Sequence, residues 1–205
     1  NCMWLLCSLP IVTMGAATTA AYTITLKMVN DEEGYIAGPF WKEFKANLKK
    51  GSILGVIALV ACYAVYLDFQ LYHVAKQHNM MFLIVGVIGI YLIFMHIVFA
   101  FPLLARYENS IVNTMRNSYS IAAKFLGRTA FLAVLLVIEM AIILWNLTTM
   151  FAGLLIGPAC IILTISGFAN SFFTVIEREN LMAEQEEKES AHLNEEPISE
   201  DEDDI

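Results

Sequence analysis

Apolar positions gather into four long runs, at residues 51–72, 80–105, 129–147 and 150–176. Inside them only Asp68 and Glu139 are acidic, and no Lys or Arg appears. Each run is near the ~20 residues that a helix needs to cross a ~30 Å hydrocarbon core. The pattern predicts an all-α, polytopic membrane protein, because only helices and closed barrels satisfy their own backbone groups in lipid.

The polar residues between the runs are not evenly shared. Segment 27–50 carries Lys27, Lys42, Lys45, Lys49 and Lys50, and segment 105–128 carries Arg106, Arg116, Lys124 and Arg128. Before residue 177, only Lys76 lies elsewhere. Basic residues on alternate connections mark the cytoplasmic side, so both segments are expected there.

A weaker apolar stretch precedes the four runs. Residues 1–9 read as the end of a first spanning helix, and Ile11 to Met28 as a short second one, rich in small residues from Gly15 to Ala21. Small residues let helix backbones approach closely in lipid. The alternative for this stretch is a re-entrant or interfacial segment. Together these give five to six spans over residues 1–176.

Both basic segments also read as amphipathic helices. After the Gly38-Pro39 turn signal, Phe40, Trp41, Phe44 and Leu48 share one helical face, and Lys42, Lys45 and Lys49 another. Such a helix can lie at the headgroups with its aromatics toward lipid and its lysines toward anionic groups, or face a cytoplasmic partner. In the second segment Ile111, Met115, Ser118, Tyr119, Ala122 and Leu126 form the apolar stripe. Phe40, Trp41, Phe44, Lys45, Asn47, Arg106 and Arg116 are the candidate residues of this cytoplasmic surface.

Composition agrees with the membrane assignment: 58% of residues are hydrophobic and 16% charged. The formal net charge of −8 is misleading. Residues 177–205 carry a net −11 and residues 1–176 a net +3. A mildly basic body therefore ends in an acidic segment, which is expected to be a disordered cytoplasmic tail. Nothing in this balance points to nucleic acid.

Candidate chemistry is sparse. Cys2, Cys7, Cys62 and Cys160 have no metal-ligand spacing, and no catalytic or nucleotide-binding motif is present. No cofactor, metal or enzymatic activity is expected. Glu139 stands near the middle of its run, where a charged carboxylate costs about 3 kcal/mol; it should face protein or water, or be protonated. It can bind a proton or cation, pair with His96, or join two helices by a hydrogen bond. His96 is on an apolar face and reads first as a packed core histidine. Asp68, near the outer end of its run, is close in sequence to His73 and reads first as water-facing. With His78, those two residues are also a weak metal-site candidate.

Residues 4–36, WLLCSLPIVTMGAATTAAYTITLKMVNDEEGYI, resemble the signature stretch of the YesL-like family of bacterial integral membrane proteins, which carry a domain of unknown function. FWKEFKANLKKG at 40–51 and RYENSIVNTMRNS at 106–118 resemble its two cytoplasmic segments. The resemblance covers 1–176, and the acidic tail lies outside it. It implies about six spans with both ends cytoplasmic, and a role beside carbohydrate uptake. Its members are similar to proteins encoded near oligosaccharide ABC importers in Gram-positive bacteria. Permease subunits of such an importer are the implied partners, besides the lipid bilayer. No catalytic residues are implied. The expectations are an accessory protein of an importer, or else a transporter in its own right or a membrane sensor.

Overall fold

The computed structural model describes residues 1–32, 34–74, 80–107 and 109–195, with side chains up to residue 188. Among the described residues there is no strand. The helices are α1 (Cys2–Ser8), a 3-10 turn (Ile11–Thr13), α2 (Met14–Val29), α3 (Ala37–Ala46), α4 (Leu48–Val74) and α5 (Met80–Met95). A π-helical turn (His96–Ala100), α6 (Phe101–Arg106), α7 (Ile111–Lys124), α8 (Leu126–Ile143) and α9 (Leu147–Glu195) follow. The chain divides into two compact units, Asn1–Asn170 and Ser171–Ile205.

Four helical stretches are long and apolar enough to cross a membrane: Leu48–Val74, Met80–Arg106, Leu126–Ile143 and the apolar part of α9. They match the four apolar runs. In the first three most residues are not fully buried, as they can be where the surroundings are lipid. The expected span at 11–28 is a 3-10 turn followed by the 16 residues of α2. At 1.5 Å per residue, α2 alone is shorter than a ~30 Å core.

Yet α2 is the most buried helix, with Gly15, Ala16, Ala17, Thr19, Ala20, Tyr22, Thr23, Ile24 and Leu26 all inside. Its small residues bring another helix into backbone contact. A Cβ added to Gly15 would lie 2.1 Å from the Gly51 carbonyl oxygen and 2.9 Å from Gly55 Cα. Gly51 and Gly55 are spaced as Gly-x-x-x-Gly on α4, the spacing of close helix crossings in membranes.

Local sequence explains the other irregularities. Pro102 lacks an N–H and would crowd the carbonyl four residues earlier in a regular helix. The wider π turn at His96–Ala100 immediately precedes it. Asn146 begins α9 by accepting from the Thr149 amide at 2.9 Å, while its own amide donates to Thr149 Oγ1 at 3.0 Å. Gly153 and Gly157 of α9 face the end of α8. They make room for Ile143, whose side-chain carbons would lie 2.5 Å and 2.9 Å from Cβ atoms added there.

The second unit holds the last part of α9. Helix continues through Glu195, over part of the segment that the sequence predicted as a disordered tail. Extending an existing helix avoids the nucleation cost, and Leu, Met, Ala, Glu, Gln and Lys are strong helix formers. Side chains from Arg178 to Lys188 are exposed. Residues 196–205 lie outside the described residues.

Candidate functional site

Three ionisable residues were expected inside the apolar runs, and the structure places them in separate helix contacts. Glu139, on α8, meets α9: Thr164 Oγ1 donates to Glu139 Oε1 at 2.5 Å. Glu139 Oε2 is buried and without a partner. His96 begins the π turn and is 3% exposed. Its Nε2 lies 3.2 Å from the Leu54 carbonyl of α4. That carbonyl only accepts, so Nε2 carries the hydrogen. Nδ1 is buried and unpartnered.

Glu139 therefore bonds Thr164 and His96 bonds Leu54: of the alternatives for Glu139, the interhelical hydrogen bond is formed and the pair with His96 is not. Asp68 is half-buried against α5, and Gly86 leaves space for it: an added Cβ there would stand 2.9 Å from Oδ2. Oδ2 is buried without a partner, so the water-facing expectation fails for that oxygen. Among the described residues no His, Cys, Asp and Glu cluster could hold a metal. His78, part of the weak metal-site expectation, lies outside them.

The Glu139–Thr164 bond invites a direct check. Thr164→Val removes the donor and leaves a second carboxylate oxygen unpaired. The expected cost is about 1 kcal/mol, since interhelical hydrogen bonds in lipid average below that and an orphaned buried acceptor adds to it. Glu139→Gln keeps an acceptor for Thr164 and should cost less. Thermal unfolding in mild detergent reads both.

The first basic segment is arranged differently from its predicted faces. Phe40 and Phe44 are buried in a cluster with Ala16, Ala17, Ala20 and Ile24 of α2, flanked by Met3, Trp4 and Cys7. They pack on protein rather than point into lipid. Small alanines on α2 leave the depressions that the two rings fill. Trp41 stays 46% exposed, with Lys45 Nζ 5.2 Å from its ring centre. Asn47 closes α3, its Nδ2 donating to the Glu43 carbonyl at 3.2 Å.

In the second segment the buried face of α7 is Thr114, Ser118, Ile121 and Ala122. Ser118 and Ala122 belong to the predicted stripe, but Ile111, Met115 and Tyr119 are only half-buried and Leu126 is exposed. The stripe is displaced because close packing selects small side chains. Thr114 and Ser118 satisfy their hydroxyls on the Ser110 and Thr114 carbonyls at 3.0 and 2.7 Å. Arg116 is exposed. The two basic segments touch: Lys50 Nζ donates to the Asn109 carbonyl at 3.1 Å.

A polar seam between helices was not foreseen. Arg106 Nη1 donates to Asn170 Oδ1 and Asn170 Nδ2 to Asn30 Oδ1, both at 2.7 Å. Thr25 and Ser166 hydroxyls are 2.6 Å apart, and Trp4 Nε1 donates to Thr18 Oγ1 at 3.1 Å. These bonds tie α1, α2, α6 and α9 together. Isolated Thr, Ser and Asn within or beside apolar helices were the signal for them.

An apolar cleft of about 510 Å³ lies beside α2. Trp4, Tyr22, Gly55, Cys62, Phe101 and Pro158 are among its walls.

Residues 1–69 match a family model described as a protein of unknown function, DUF624. The match takes in α1 to most of α4, hence the Phe40–Phe44 cluster and the Gly15 crossing. No curated protein and no solved structure matches the chain.

Proposed function

We propose that the chain is a multi-pass protein of the bacterial cytoplasmic membrane, acting without catalysis as an accessory or assembly partner of a carbohydrate ABC importer. The YesL-like resemblance supplies the importer, the bacterial membrane and the cytoplasmic ends. In this reading the α1–α2 hairpin joins the four long helices to make five to six spans, and the C-terminus is cytoplasmic. No catalytic residue or cofactor is assigned.

One observation carries the reading furthest: the two basic segments join through Lys50 and Asn109. Lys42, Lys45, Lys49, Arg116, Lys124 and Arg128 are all exposed on these segments. Exposed cationic side chains on both joined segments would suit acidic cytoplasmic loops of a permease subunit, and like charges there would reject basic partners.

Purifying the tagged full chain from its native membrane in mild detergent tests this. Permease subunits should co-elute, and Lys45→Glu with Arg116→Glu should reduce their yield several-fold while the protein itself stays monodisperse. Sugar flux by the protein alone in liposomes would replace this reading with a transporter. The feature favouring that second reading is the unpaired Glu139 Oε2 inside a spanning helix. A third, sensing through the cytoplasmic face, predicts a signalling defect on deleting residues 177–205 with importer binding intact.

A further inference from the structure

The cleft beside α2 is built like a ligand site. Its volume of about 510 Å³ falls within the ~300–1,000 Å³ usual for small-molecule sites. Ile11, Leu59, Cys62, Ile97 and Met140 line its mouth and are exposed, so it opens to the surroundings of the spanning helices. None of its lining residues is charged.

One polar side chain on its wall has no hydrogen bond among the described residues. Tyr22 is 2% exposed and lines the cleft. No described residue hydrogen bonds its hydroxyl, and that oxygen is not among the fully enclosed unpartnered atoms. The other polar groups on that wall are occupied, since Trp4 Nε1 donates to Thr18 Oγ1 and Thr18 Oγ1 donates to the Met14 carbonyl at 2.8 Å. A phenol hydroxyl on an apolar wall has no protein acceptor for its hydrogen, and a ligand oxygen can supply one.

We propose that the cleft is a lipid site, taking one acyl chain of a membrane phospholipid whose ester carbonyl accepts from the Tyr22 hydroxyl. The uncharged lining excludes a phosphate or a free carboxylate from the cleft itself, because neither charge would find a counterion there. An ester carbonyl is uncharged, accepts one hydrogen bond and continues into hydrocarbon. Depth agrees. Tyr22 stands eight positions before Asn30, about 12 Å along α2 from the polar end marked by Asn30, Arg106 and Asn170. Headgroup regions are roughly 5–8 Å thick on each side of the hydrocarbon, so that position is just inside the acyl boundary. The site is independent of the importer reading, and either can fail alone.

The full chain is reconstituted in vesicles of phosphatidylglycerol and phosphatidylethanolamine. A trace of photoactivatable phosphatidylglycerol, with a diazirine on one chain, is added either as the diester or as the diether, which has no carbonyl. Cross-links are located by mass spectrometry. For the diester, labelling at Leu59, Ile97 and Met140 should exceed labelling at the exposed Val137. It should also exceed that of the diether about threefold to tenfold, the worth of one hydrogen bond. Tyr22→Phe should erase the diester advantage while Val137 labelling stays constant.

Equal cleft labelling by diester and diether in the unaltered protein would overturn the proposal, leaving ordinary annular lipid. So would a diester advantage that survives in Tyr22→Phe. If Tyr22→Phe fails to fold, the diester–diether comparison in the unaltered protein still decides. Site-resolved alkylation of Cys62 by N-ethylmaleimide gives a second reading. It should be slower in diester than in diether vesicles, and equal rates count against the site.

Discussion

Gly15→Ala should yield protein that is largely aggregated in mild detergent, or that unfolds at a markedly lower temperature. The added methyl would stand 2.1 Å from the Gly51 carbonyl oxygen, where ordinary contact begins at 3.4 Å. The obstructing atoms at Gly51 and Gly55 belong to backbone, so no side-chain rotation relieves the clash. α2 and α4 must separate, and the contacts along their crossing are lost together. Replacing Gly with Ala in a helix ordinarily gains about 1 kcal/mol of propensity. Overpacking costs about 1–3 kcal/mol where neighbours can yield, and here they cannot. The clash therefore outweighs the propensity, for a net loss of about 2 kcal/mol or more. Gly127→Ala is the control. It lies in α8 with nothing within 4 Å of the added carbon, and should be neutral or stabilising. If Gly15→Ala and Gly127→Ala unfold alike, the crossing is not the close contact described.

The sequence made the long helices legible because their signal is averaged over many residues. A run such as 80–105 stays apolar whatever one position does, and it appears as Met80–Arg106 with a π turn ahead of Pro102. Pairwise relations were not legible. The sequence left Glu139 the choice of a proton or cation, His96 or an interhelical hydrogen bond, and hairpin register sets it against Thr164. The α7 stripe was assigned to its largest apolar residues, whereas the buried face is Thr114, Ser118, Ile121 and Ala122. Hydrophobicity cannot locate the inside of a protein whose outside is also apolar. Small size and self-satisfied hydroxyls mark the interior better. Read that way, Gly51-Ser52-Ile53-Leu54-Gly55 and Thr19 to Thr23 would have identified the α2–α4 contact from the sequence.

Phe40→Ala should destabilise the protein by about 3 kcal/mol, while Trp41→Ala should cost less than about 1 kcal/mol. The two rings are adjacent in sequence, and an interfacial helix would value the tryptophan more, since Trp is the preferred residue at headgroup level. The structure reverses that order. Phe40 is 4% exposed and packed among Ala16, Ala17, Ala20 and Ile24, so its removal leaves a cavity that alanine neighbours cannot fill. Trp41 is 46% exposed and contacts Phe44 and the Lys45 ammonium, a cation–π contact in water worth about 0.5–1 kcal/mol. Thermal unfolding in detergent measures the stability difference, and flotation with anionic vesicles measures lipid attachment. A docked α3 predicts that Phe40→Ala lowers the unfolding midpoint and that Trp41→Ala leaves it nearly unchanged. A larger stability loss from Trp41→Ala than from Phe40→Ala would return α3 to the membrane surface. The basic surface that presents Lys45 to a partner would then lose its rigid support on α2.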